Sequence, residues 1–164
     1  MKKILLLFLI VVSFSGCEKD DICTDDTTPR LILEFYDISN PSVLKPVVNV
    51  LVTAEGQTAL GTFNNVSKIE LPLDITQDTT KYSLILNSTS LTGANEDFLQ
   101  FNYSRQNVFV SRACGYKTIF ELNAIPNGVI KTDASTPDGF WIQDINILTT
   151  NIENENETHI KIYF

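Results

Sequence analysis

FLQFNY, residues 98–103, decides the fold. Leu99, Phe101 and Tyr103 fall on one side of an extended chain and Gln100 and Asn102 on the other, the two-residue period of a half-buried strand. Val108-Phe109-Val110 and Lys117-Thr118-Ile119-Phe120-Glu121-Leu122 continue it, with turns expected near Arg105-Gln106-Asn107 and at Gly115. The three runs read as an antiparallel meander.

The same period extends outward in both directions. Upstream, residues 31–36, 47–53, 68–73 and 82–86 are short β-rich runs, separated by Asn40-Pro41, Glu55-Gly56 and similar turn residues. Pro72 marks the third of them as an edge strand or a bulge, because proline cannot donate to a ladder. Downstream, a loop with Pro126, Gly128, Pro137 and Gly139 leads to an alternating run at 141–148, and residues 159–164 close the chain. Helical periodicity is absent after the first residues. About eight or nine short strands without helices predict an all-β antiparallel β-sandwich with immunoglobulin-like topology, and a small lipocalin-like β-barrel is the alternative. Residues 29–164 form the single expected domain.

The beginning of the chain reads as an address. Lys2 and Lys3 precede a nine-residue apolar run, 4–12, too short to span a bilayer but suited to a signal peptide. Ser15 and Gly16 before Cys17 resemble a bacterial lipobox, with Phe14 in place of the usual Leu. The expectation is a lipoprotein signal over 1–16 and acylation of Cys17, palmitate included. Residues 17–28 are then an acidic tether. Removing 1–16 would leave ten basic and twenty acidic side chains on 148 residues, a net of −10 compared with −8 for the whole chain. That balance excludes nucleic acid as a partner, since phosphate binding needs clustered Lys and Arg. Lys19, Asp20 and Asp21 resemble the surface-export signal of Bacteroidota lipoproteins. The expected location is the outer membrane, lipid-anchored at the cell surface, with its periplasmic face as the alternative. With Cys17 acylated, Cys23 and Cys114 are left as a candidate disulfide in an oxidising compartment. The six-residue step from Cys17 to Cys23 would then hold the domain close to the membrane.

A search for chemistry finds no catalytic residue, no metal site and no cofactor motif. Two cysteines and one histidine do not make a zinc ligand set, and neither a nucleophile elbow nor a phosphate loop is present. His159, the sole histidine, is expected to be exposed on the last strand. The acidic residues at 18–26 lack calcium-loop spacing, and Asp133 and Asp138 read as solvated loop residues. Sequons at Asn65, Asn87, Asn102 and Asn156 follow from composition. Asp26-Thr27-Thr28 and Asp78-Thr79-Thr80 resemble a Bacteroidota O-glycosylation motif, which makes Thr27 and Thr79 candidate acceptors. Phe140 and Trp141, after Pro137-Asp138-Gly139, are the candidate ligand contacts, because loop aromatics stack on sugars. Arg105 and Arg112 form a candidate basic spot unless carboxylates pair with them. The last strand is a candidate edge for a partner strand.

CEKDDIC at 17–23, TTPRLILEFYDISNP at 27–41, NYSRQNVFVSRACGY at 102–116 and NENETHIKIYF at 154–164 together resemble a flavobacterial-type Bacteroidota lipoprotein family, domain of unknown function 6452. The resemblance spans essentially the whole chain after the signal. It implies a lipid anchor and a Cys23–Cys114 pair, and it implies no activity. The functional expectation is therefore a non-enzymatic interaction or accessory module, anchored in the membrane and working with an outer-membrane protein complex. A glycan or small-ligand binding module using the loop aromatics is the alternative, and a carboxylate-based hydrolase a remote one.

Overall fold

The computed structural model describes residues 22–24 and 27–164. The expected signal, Cys17 and the Lys19-Asp20-Asp21 run lie outside the described residues. Two sheets and no helix make up the described chain, and neither sheet closes into a barrel.

The first sheet contains β1 (Leu31–Asp37), β2 (Asn40–Leu44), β5 (Lys68–Leu71), β10 (Asp144–Ile147) and β12 (Ile160–Tyr163), in the order β10-β12-β1-β2 with β5 also on β1. The second contains β3 (Val50–Ala54), β4 (Ala59–Phe63), β6 (Thr79–Leu86), β7 (Asn95–Ser111), β8 (Gly115–Leu122), β9 (Val129–Asp133) and β11 (Asn151–Ile152). Its order is β11-β8-β7-β6-β3-β4, with β9 beside the first half of β7. The two layers are those of the expected sandwich. The connectivity is largely a meander, since β6, β7 and β8 follow one another as neighbours, and one pair is parallel: β1 runs alongside β12 from Leu33–Ile160 to Tyr36–Tyr163.

Alternation builds the core. Leu99, Phe101 and Tyr103 of β7 face inward with Tyr82 and Leu84 of β6 and Phe120 and Leu122 of β8, and meet Leu31, Leu33 and Phe35 of β1 from the other sheet. All are buried. The first half of β1 is buried on both faces, with Leu31, Ile32 and Leu33 all shielded from solvent, in keeping with its unbroken Leu-Ile-Leu run. Asn49, Asn65 and Asn87 take positive φ of 46°, 55° and 52°. Asparagine tolerates this left-handed backbone better than most residues, so two of the four sequon positions have a conformational reason to be Asn.

Three expectations require correction. The turn near Arg105-Gln106-Asn107 does not exist: 98–103 and 108–110 belong to one strand of 17 residues, polar in its middle because that part lies beyond the core. The run at 141–148 is a strand only from Asp144 to Ile147, while Trp141 and Ile142 are buried as loop residues. And β12 is not an edge, since β10 pairs on one side of it and β1 on the other. The short strands β2, β4, β9 and β11 were hidden in runs read as turns and loops.

Candidate functional site

The feature that most distinguishes this sandwich is an arm. Residues Asn95 to Asn102 of β7 pair with β6, and Asp97 to Phe101 pair on the other side with β9. From Tyr103 onward its ladder partner is β8, through Val108–Lys117 and Phe109–Tyr116 to Ser111–Gly115. The eight residues 104–111 cover roughly 25 Å. Beyond Phe120 and Glu121, where β11 flanks β8, they form a two-stranded extension whose β7 side is largely exposed.

Among the described residues a disulfide and a hydrogen bond join the arm to the N-terminal segment. Cys23 and Cys114 are disulfide-bonded with their Cα atoms 4.8 Å apart, at the turn between β7 and β8. Further down, the Thr28 hydroxyl accepts the Thr118 backbone N–H at 3.0 Å. Thr118 in turn donates its hydroxyl to Asn107 Oδ1 across the arm at 2.9 Å. Near the turn, Phe109 and Tyr116 pack edge to face with ring centroids 5.4 Å apart, yet they remain 56% and 71% exposed. The turn expected at 105–107 separates the register, so the pairing of Phe109 with Tyr116 was not legible in the sequence.

The residues expected to contact ligand are arranged otherwise. Trp141 is 7% exposed. It stacks on Phe35 at 6.3 Å, meets Phe164 edge-on at 5.6 Å and donates its indole N–H to the Leu84 carbonyl. A side chain so placed is core, and the stacking role expected for it is withdrawn. Phe140 is half exposed, but the Lys131 ammonium lies 4.2 Å from its ring centroid.

The carboxylates near them serve the same loop. Asp133 accepts the backbone N–H groups of Ala134 and Gly139, and Asp97 Oδ2 accepts that of Ile142 at 2.7 Å. Lys131 donates to the Ile142 carbonyl at 2.6 Å. Asp97 is fully buried and its Oδ1 has no hydrogen-bond partner. Burial pushes its carboxyl up to about 6, with the Ile142 N–H and Lys131 opposing that rise. Asp133 is thus a loop clasp, not a solvated bystander.

His159 reverses its expectation: it is fully buried. Its Nδ1 accepts the Ile32 backbone N–H at 2.9 Å, at the point where the β1–β12 ladder begins. Burial lowers its pKa. An imidazole accepting at Nδ1 is neutral, with its proton on Nε2.

Arg105 bonds Asp78 at 2.7 Å and the Ile75 carbonyl, whereas Arg112 forms no ion pair with the described residues. Arg30 instead bridges Glu70 and Glu155, each at 2.6 Å, beside a shallow cleft of about 440 Å3 that includes Thr27 and Asn156. A second cleft, of about 530 Å3, opens where β6 meets the 72–77 loop, with Asp74, Gln77, Lys81 and Gln100 on its walls. Thr27 and Thr79 are both exposed, and the Thr79 hydroxyl donates to Asn102 Oδ1 at 3.1 Å. Among the described residues there is no group of three or more His, Cys, Asp or Glu placed to hold a metal ion, and no helix long and apolar enough to cross a membrane.

Fold and site define the class: an all-β sandwich with a disulfide-clasped arm. A family model, described as a family of unknown function (DUF6452), matches residues 49–164, and the chain belongs to that family. Comparison with curated proteins and with solved structures found no match.

Proposed function

We propose that the protein is a lipid-anchored surface module of the outer membrane. Cys17 carries the acyl chains, residues 17–28 are the tether, and the sandwich works by contact with an outer-membrane protein complex and not by catalysis. The observation that carries this reading is the clasp between Cys23 and the arm. Cys23 is six steps along the chain from Cys17, at most about 20 Å of extended chain, so an anchor at Cys17 would hold the projecting arm against the membrane. Exposed aromatic surface lies there, while the aromatic once expected to bind ligand is core. The buried carboxylate Asp97 and the buried His159 each have a structural partner, which supports a non-enzymatic role.

The test is affinity capture of the full chain from detergent-solubilised outer membranes, with mass spectrometry of the captured proteins and of the N-terminal peptide. The expected result is a diacyl- or triacyl-modified Cys17 and a stoichiometric membrane-protein partner. An unmodified Cys17 would overturn the anchor, and a clean capture with no partner would overturn the accessory role.

A further inference from the structure

The distal arm is unlike the rest of the molecule in charge as well as shape. The chain has 20 acidic residues, yet none lies between Asp97 and Glu121, a stretch that contains all of the arm except Glu121 itself, the partner of Ser104 at its base. Arg105 in that stretch is paired with Asp78. Among the described residues Arg112, at the turn, forms no ion pair, and Lys117 donates to the Glu153 carbonyl at 3.4 Å. Phe109 and Tyr116 lie on one face of the arm's end. The neighbouring strand position Val108, paired with Lys117, points to the other face. Ile22, next to the clasped cysteine, is 77% exposed. Exposed aromatic groups flanked by cations that form no ion pair with the described residues match the interfacial layer of a bilayer, where amphipathic rings sit at head-group level.

We propose that the end of the β7–β8 arm is seated in the head-group region of the membrane that anchors the chain. In this arrangement Phe109 and Tyr116 are inserted among the lipids, Arg112 and Lys117 lie at phosphate height, and the Cys23–Cys114 bond fixes the tilt of the sandwich. The proposal rests on the Cys17 anchor proposed above. The carboxylates of the tether oppose an anionic surface, so the contact is carried by the rings and by the short reach from Cys17, with the two cations as a complement to phosphate.

The experiment uses the full lipidated chain carrying Tyr116→Trp, reconstituted into phosphatidylcholine–phosphatidylglycerol vesicles with brominated acyl chains. The parent supplies the baseline, because its only tryptophan is buried in the core. The expected result is a blue-shifted emission and at least twofold quenching of the added indole, with Trp141 unaffected in the parent. Phe109→Trp gives the same readout from the other strand should the first variant misfold. A chain that floats with the vesicles while both added indoles stay unshifted and unquenched overturns the arm contact and leaves the anchor intact. A blue shift that grows with protein concentration without bromine quenching assigns the surface to a second copy and equally overturns it. A chain that does not float, with an unmodified Cys17, removes the anchor and this proposal together.

Discussion

Two buried titratable side chains pull the stability of this protein in opposite directions with pH. Asp97 has its folded-state carboxyl raised to about 6 by burial, so the folded chain binds a proton that the unfolded chain releases between about pH 4 and 6. Its contribution is therefore most favourable in acid and is lost as pH rises through that window, by about 3 kcal/mol. His159 acts the other way. Its pKa is lowered by burial, so the unfolded chain takes up the proton first and stability falls as pH drops below its ordinary 6.5. The Asp97→Asn variant should lose the compensating term: its urea midpoint falls steadily from pH 7 to pH 4, while the parent changes little. A parallel pair of midpoint curves would contradict this. For His159→Phe the expected loss is about 1–3 kcal/mol at neutral pH, because the Ile32 N–H is left buried without an acceptor. Thermal denaturation measures it, and an unchanged melting temperature would show that the imidazole is dispensable.

At the level of the element, the arm depends on its clasp. Two strands alone are marginal in water, and β7 beyond Asn102 has neither β6 nor β9 beside it. Hydrogen exchange by mass spectrometry should show amides 104–117 exchanging faster than amides 97–102, and reduction of Cys23–Cys114 should widen that gap without exposing 97–102. The bond closes a separation of 91 residues, so Cys23→Ser should cost up to about 4–5 kcal/mol on the chain-entropy account. The arm was half legible in the sequence. Alternation identified both of its strands and Gly115 marked its turn, but Ser104 to Asn107 reads as a turn because a strand that leaves its core no longer needs apolar residues. The opposite ambiguity hid Trp141 and His159. Trp141 follows the Pro137-Asp138-Gly139 turn and His159 follows Glu157-Thr158 in the sequence, and what buries them, Phe35 and Phe164 for one and the start of the β1–β12 ladder for the other, comes from distant parts of the chain. Cysteine counting could name the Cys23–Cys114 pair as a candidate, but it could not foresee that the bond lies at the end of an extension.

For the molecule as a whole, the parallel pairing of β1 with β12 makes the last five residues central. Deleting 160–164 removes a strand that contacts both β10 and β1, along with Ile160, Ile162 and the Phe164 ring that packs against Phe35 and Trp141. The truncated chain should fail to fold cooperatively, with loss of near-ultraviolet circular dichroism, whereas removal of an edge strand would be tolerated better. A truncated chain that keeps a sharp unfolding transition would refute that centrality. The clasp has a mechanical meaning as well. If the ends of the chain are drawn apart, the tension passes from Cys23 through sulfur to Cys114, and everything threaded between them, β1 to β7, is spared elongation. Roughly 300 Å of contour is withheld in this way. Only the portion after Cys114 can pay out, so the protein behaves under load as a short elastic strap fastened to an inextensible block.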